Sequence, residues 1–202
     1  MLLGSHGEPS WRFGSDYRSQ LLCYPLWVRE VEGIAVPAGG LVPGPLNGVP
    51  ESGRRADPAL AGPWRAWWCS AVRQHFELPD EEIVLDPDAD GQLLGPDFGA
   101  VPAPLRESAR RLWGQAFWDW HSSGRREAVR RSAGRGPVGE VVAEVEAEIG
   151  RRADPFELSV CFLDVADREI RRAGPRAFLV PEALEPTPAY RHWLHGVVRA
   201  LA

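Results

Sequence analysis

The sequence predicts an α+β fold: a small, mainly antiparallel sheet packed against three to four amphipathic helices. Three observations carry that expectation. Apolar residues recur at helical spacing in several separated stretches, and they alternate at strand spacing in others. The elements then follow one another as strands, helices, strands and a helix, which is not the βαβ series of a wholly parallel sheet. The expected organisation is a flexible N-terminal segment (residues 1–18, polar and glycine-bearing) followed by one domain over 19–202. A boundary, if one exists, would fall near 124–137, where the composition shifts.

Residues 19–37 read as strand. Tyr24, Leu26 and Val28 alternate with Pro25, Trp27 and Arg29, and Gly33 suits a turn between two strands. Pro25 places that strand at an edge or a bulge. Residues 37–56 hold repeated Pro and Gly and read as a long loop. Gly62-Pro63 opens a helix whose face is Trp64, Trp67, Trp68, Ala71, Val72 and His75. Residues 77–104 are irregular and acidic, with Glu77, Asp80, Glu81, Glu82, Asp86, Asp88, Asp90 and Asp97 and no arginine.

The next stripe runs over about 104–122: Leu105, Ala109, Leu112, Trp113, Ala116, Phe117 and Trp120. Ser122-Ser123-Gly124 is expected to end it, with an arginine-rich segment following to Arg135. Val138, Val141, Val142, Val145 and Ile149 form a short helix closed by Gly150. Phe156, Leu158, Val160 and Phe162 alternate as a strand, with 177–181 as its neighbour. Thr187-Pro188 caps a last helix that buries Tyr190, Trp193, Leu194, Val197, Val198 and Leu201.

The formal charge of −5 argues against a general nucleic-acid binder. All 23 basic residues are arginine, which excludes Schiff-base and lysine-nucleophile chemistry. Arg, Ala, Gly and Pro codons are GC-rich, so the composition points to a high-GC bacterial genome. Cys23, Cys69 and Cys161 sit among apolar neighbours and form no CxxC pair, as expected of buried thiols in a reducing cytoplasm. No signal peptide or membrane span is expected.

The sharpest motif is Asp86-Pro-Asp88-Ala-Asp90-Gly91, with Asp97 at the twelfth position. Those spacings put alternate carboxylates on one side of a tight loop. This resembles the calcium loop of EF-hand proteins over about a dozen residues, without the bidentate Glu or the flanking helices. Calcium is the one cofactor this motif would imply; otherwise none is expected. Gly134, Gly136 and Gly139 match a dinucleotide fingerprint but follow no strand, and so read as a linker. His192 and His195 stand three apart on the last helix but lack a third ligand.

The preferred functional reading is a non-catalytic bacterial accessory protein that binds a protein partner. Nine tryptophans and segregated acidic (77–97) and basic (104–136) stretches motivate it. The partner surface would use Trp27, Trp68, Trp118, Arg125 and Arg126, taken as the exposed aromatics and cations. Homo-oligomerisation is compatible with this reading. The competing reading is a small-molecule enzyme with an aromatic-lined pocket and His75, Asp119 or His121 as acid and base.

Overall fold

The computed structural model describes residues 11–49, 53, 56–78, 99–132 and 137–202, with the backbone alone for 131 and 132. Its elements are β1 (Arg12–Tyr17), α1 (Gln20–Glu32), α2 (Ala61–His75), α3 (Ala103–Leu112), α4 (Gln115–Ser132), α5 (Val138–Ile149), β2 (Glu157–Leu163), β3 (Arg171–Gly174), β4 (Ala177–Pro181) and α6 (Pro188–Leu201). The fold is α+β. The sheet has the order β1-β2-β4-β3 and is mixed rather than purely antiparallel. β1 and β4 both run parallel to β2, and only the β3–β4 hairpin is antiparallel.

The alternation of β2 and β4 sorts their side chains onto two helical layers. Cys161, Leu163 and Leu179 pack under α1, α2 and α3 and against Phe117 of α4. Leu158, Val160, Phe162, Phe178 and Val180 pack against α5 and α6. Buried on both faces, these strands read as near-continuous apolar runs.

Several elements depart from the sequence reading. Residues 19–37, expected as strand, form α1. Leu22, Cys23, Tyr24, Pro25, Leu26, Trp27, Val28 and Arg29 are all buried, so this helix is apolar on nearly every side and shows no stripe. Pro25 has no N–H to give the helix, but its carbonyl accepts from Trp64 Nε1 at 2.7 Å. Gly33 closes the helix in the left-handed conformation (φ 67°). The second departure is β1, which lies inside the N-terminal segment expected to be flexible.

The stripe expected over 104–122 is two helices, broken at Trp113-Gly114, and α4 runs on through Ser122-Ser123-Gly124. Gly124 lies against the Arg18 guanidinium, where a Cβ would collide with it. The glycine serves a close approach rather than a helix end. Thr187 caps α6, its Oγ1 accepting from Tyr190 N at 3.3 Å.

Candidate partner-binding groove

The strand-to-helix turn at Arg18-Ser19 organises the site. Arg18 adopts φ 52°, an uncommon conformation for a side chain with a Cβ. Its backbone N–H donates to Phe162 O at 2.8 Å, extending the β1–β2 ladder. Its side chain then passes over the carboxyl ends of the parallel strands. Arg18 Nε donates to Glu182 Oε1 at 2.7 Å and Nη2 to Asp164 Oδ2 at 2.6 Å. Asp164 follows β2 and Glu182 follows β4.

Burial opposes the Arg18 charge, but the bond to Glu182 and the charges of Glu182 and Asp164 outweigh it, and its pKa is raised further. The guanidinium also lies 5.7 Å from the Trp120 ring centroid. Asn47 Nδ2 donates to Asp164 Oδ1 at 2.7 Å, and Trp120 Nε1 donates to Asn47 O at 3.1 Å. This network ties α4 to three strands.

His121 joins the same turn, with Nε2 at 2.7 Å from Arg18 O. Because a carbonyl only accepts, Nε2 carries the proton. Burial first, and the Arg125 and Arg18 charges after it, lower the His121 pKa against the bond to Arg18 O, so the ring is neutral. Ser19 occupies the N-cap of α1 but caps no backbone N–H; its Oγ lies 3.1 Å from His75 Nδ1 instead. Burial lowers the His75 pKa too, against a raising influence from Asp16.

Outside this turn, α4 lines a cavity of about 560 Å³ with Trp118, His121, Ser122, Arg125, Arg126, Val129 and Arg130, and Gln20 of α1 completes it. From Trp118 onward these positions fall at i, i+3, i+4, i+7, i+8, i+11 and i+12, one helical face. No carboxylate lines the groove among the described residues. Val129 is 48% exposed, the only large hydrophobic in that state among the described residues. Arg125 reaches Asp16 only at 3.5 Å, and Arg130 reaches Glu127 at 3.6 Å. Such exposed pairs are weak and leave both cations available to a ligand.

The residues singled out from the sequence are thus divided. Trp118, His121, Arg125 and Arg126 line one groove. Trp27 and Trp68 do not belong to a surface: they are 5% and 0% exposed. Trp68 Nε1 donates to Leu41 O at 2.9 Å and its ring stacks on Trp64. Trp27 packs against Phe117 and Trp120. Both were expected to be partly exposed; instead the loop carbonyl of Leu41 takes the Trp68 N–H, and α4 rings cover Trp27. Asp119 is exposed and accepts from Gln115 Nε2 at 2.7 Å. It stands two positions from His121, nearly opposite on the helix, so the two form no acid–base pair.

His75 lines a second cavity of about 640 Å³, over the sheet, with Asp16, Glu157 and Ser159. The Ser19–His75 spacing suits a nucleophile and its base, but Ser19 is only 5% exposed, and the pair joins α2 to the turn. His195 bonds Glu148 at 3.0 Å and His192 is exposed. Among the described residues no three His, Cys, Asp or Glu side chains are grouped to hold a metal ion. Asp86, Asp88, Asp90 and Asp97, and the glycines at 134 and 136, lie outside the described residues. Arg18, Asp164 and Glu182 were missed. Their one signal is that the apolar runs of β2 and β4 each close on a carboxylate, at the strand ends where α/β sheets place polar sites.

Among the described residues no helix is long and apolar enough to cross a membrane. No protein-family model, curated protein or solved structure matches the chain.

Proposed function

We propose that this chain is a non-catalytic interaction protein that docks an acidic, partly apolar segment of a protein partner in the α4 groove. The observation that carries the reading is the composition of that one face. It sets Arg125, Arg126 and Arg130 beside Trp118 and the exposed Val129, with no carboxylate among the lining residues. Arginine and tryptophan are the side chains most enriched where binding energy concentrates. Like-signed cations on a fixed helix steer an oppositely charged partner and reject a basic one. The cellular setting proposed is a bacterial cytoplasm, supported by the all-arginine basic set and the unpaired cysteines among the described residues.

The test uses a labelled peptide rich in Glu with interspersed Leu and Phe, and a Lys-rich control of the same apolar content. The acidic peptide is expected to bind, weakening as salt rises, and to lose at least about tenfold in affinity in Arg125→Glu/Arg126→Glu. Equal binding of both peptides, or no effect of charge reversal, would overturn the reading. So would a single-stranded oligonucleotide that displaces the peptide and binds more tightly.

A further inference from the structure

A separate cavity, of about 740 Å³, lies between β1 and the α5–α6 layer. Five aromatic rings line it: Trp11, Phe13, Tyr17, Phe162 and Tyr190. Phe162 and Tyr190 are buried and form its floor, their ring centroids 5.7 Å apart at 61°. Phe13 and Tyr17, which share one face of β1, and Trp11 just before the strand are half-buried and form a wall. Tyr17 stacks on Phe162 at 4.8 Å.

Among the described lining residues, the charged side chains are acidic. Glu140 and Glu185 line it, and among the described residues no basic side chain does. Glu140 is engaged by Arg191 at 3.1 Å on the outside of α5. Glu185 accepts from the Tyr17 hydroxyl, within the aromatic wall. Burial raises the Tyr190 pKa, and the Glu185 charge adds to that, so the carboxylate's field reaches the floor.

Aromatic faces carry negative quadrupoles, and several of them around one space attract a cation whose own hydration is weak. A carboxylate in the wall adds to that attraction. The cavity falls in the size range of small-molecule sites, large enough for an apolar body beside the charged head. We propose that this cavity binds a small organic cation bearing an alkylated ammonium group, held by the aromatic wall and Glu185. It is a different surface from the α4 groove and does not depend on the reading given to that groove.

The experiment is calorimetric titration of the full chain with choline, with benzyltrimethylammonium and with dimethylbutanol, the neutral carbon isostere of choline. Both cations are expected to bind saturably, choline at least about tenfold tighter than its isostere. Glu185→Gln keeps an acceptor for Tyr17 and removes the charge; it is expected to weaken the cations several-fold and leave the isostere unchanged. Phe13→Leu, on the half-exposed wall, is expected to weaken the cations with little change in melting temperature. Equal affinity for choline and its isostere would make the cavity merely apolar and overturn the proposal. Absence of saturable binding by either cation would overturn it as well.

Discussion

His121 and His75, carried on α4 and α2, hold consecutive residues of one turn: His121 Nε2 bonds the Arg18 carbonyl at 2.7 Å and His75 Nδ1 the Ser19 hydroxyl at 3.1 Å. Both imidazoles are held below their ordinary pKa of 6.5, chiefly by burial. The turn is therefore built for neutral rings, and this fixes the sign of a pH effect. Above pH 6.5 the rings are uncharged in the folded and unfolded chain alike. Below it the unfolded chain takes up protons that the folded one refuses, so stability falls with falling pH.

The melting temperature is accordingly expected to be flat above about pH 7 and to drop as pH falls through 6.5. His75→Gln and His121→Gln should each flatten part of that slope. A second loss is expected to begin below about pH 3.8, where the unfolded chain takes up a proton that folded Asp167 still refuses, and to be complete only once Asp167 itself is protonated at lower pH. Its carboxylate is held low, against partial burial, by Arg171 and by the backbone N–H groups of Gly44 and Glu169. Thermal melts across this range at constant ionic strength check both steps.

Arg18→Met removes the Arg18 partner of Glu182, which is 3% exposed. The expected cost is about 3–5 kcal/mol in denaturant unfolding. Arg18→Met/Glu182→Leu should recover most of it, since an apolar pair of similar volume replaces a buried ion pair at little net cost. A double variant as unstable as the single one would mean that the network with Asp164 and Asn47 matters more than the pair.

Gly124→Ala tests the close approach of α4 to the sheet. In the wild-type background it is expected to destabilise by a few kcal/mol, because the new methyl meets the Arg18 guanidinium. In an Arg18→Ala background the obstacle is gone. The same change is then expected to be neutral or to stabilise by up to about 1 kcal/mol, the helix preference of alanine over glycine. The sign reversal in the double-mutant cycle is the result to measure.

The tryptophans separate by the same kind of measurement. Trp68→Ala removes a fully buried ring and its bond to Leu41 O, and about 3–5 kcal/mol of destabilisation is expected. Trp118→Ala should cost clearly less, since that ring is half-buried and leans on Trp113 and Phe117 at the groove. It should nevertheless weaken the acidic peptide in the binding assay.

How much of this was legible depended on how each segment meets water. α2, α5 and α6 have one wet and one dry face, so their periods were plain in the sequence. α1 is dry on nearly all sides, and a short apolar run of that kind does not reveal its period. The chance alternation of Tyr24, Leu26 and Val28 then read as a strand, with Pro25 at its edge and Gly33 as a turn, though Pro25 lies within the helix and Gly33 caps it. β1 is an edge strand with half its side chains in water, in a segment rich in Gly and Ser, so nothing marked it. The parallel pairing of β1 with β2 is a tertiary choice that no local pattern encodes.

The groove was half legible for a related reason. Trp118 stood out because it falls off the buried stripe. Arg125 and Arg126 stood out by charge. Val129, Arg130 and Gln20 could join them only once α4 was known to pass Gly124, and that required knowing where the Arg18 side chain lies.

The register of β1 carries a consequence for how the chain acquires its structure. Arg12 is aligned with Glu157 and Tyr17 with Phe162, so the first strand waits for a partner that lies beyond five helices. Contacts of such long sequence separation close late and slow folding. During synthesis α1 to α4 leave the ribosome without Cys161, Leu163 and Leu179, the residues that roof their aromatic cluster. The nascent chain therefore holds Trp27, Trp64, Trp67 and Trp68 against an unfinished surface until its last quarter emerges. That interval is when aggregation competes most strongly and when chaperone binding would matter most.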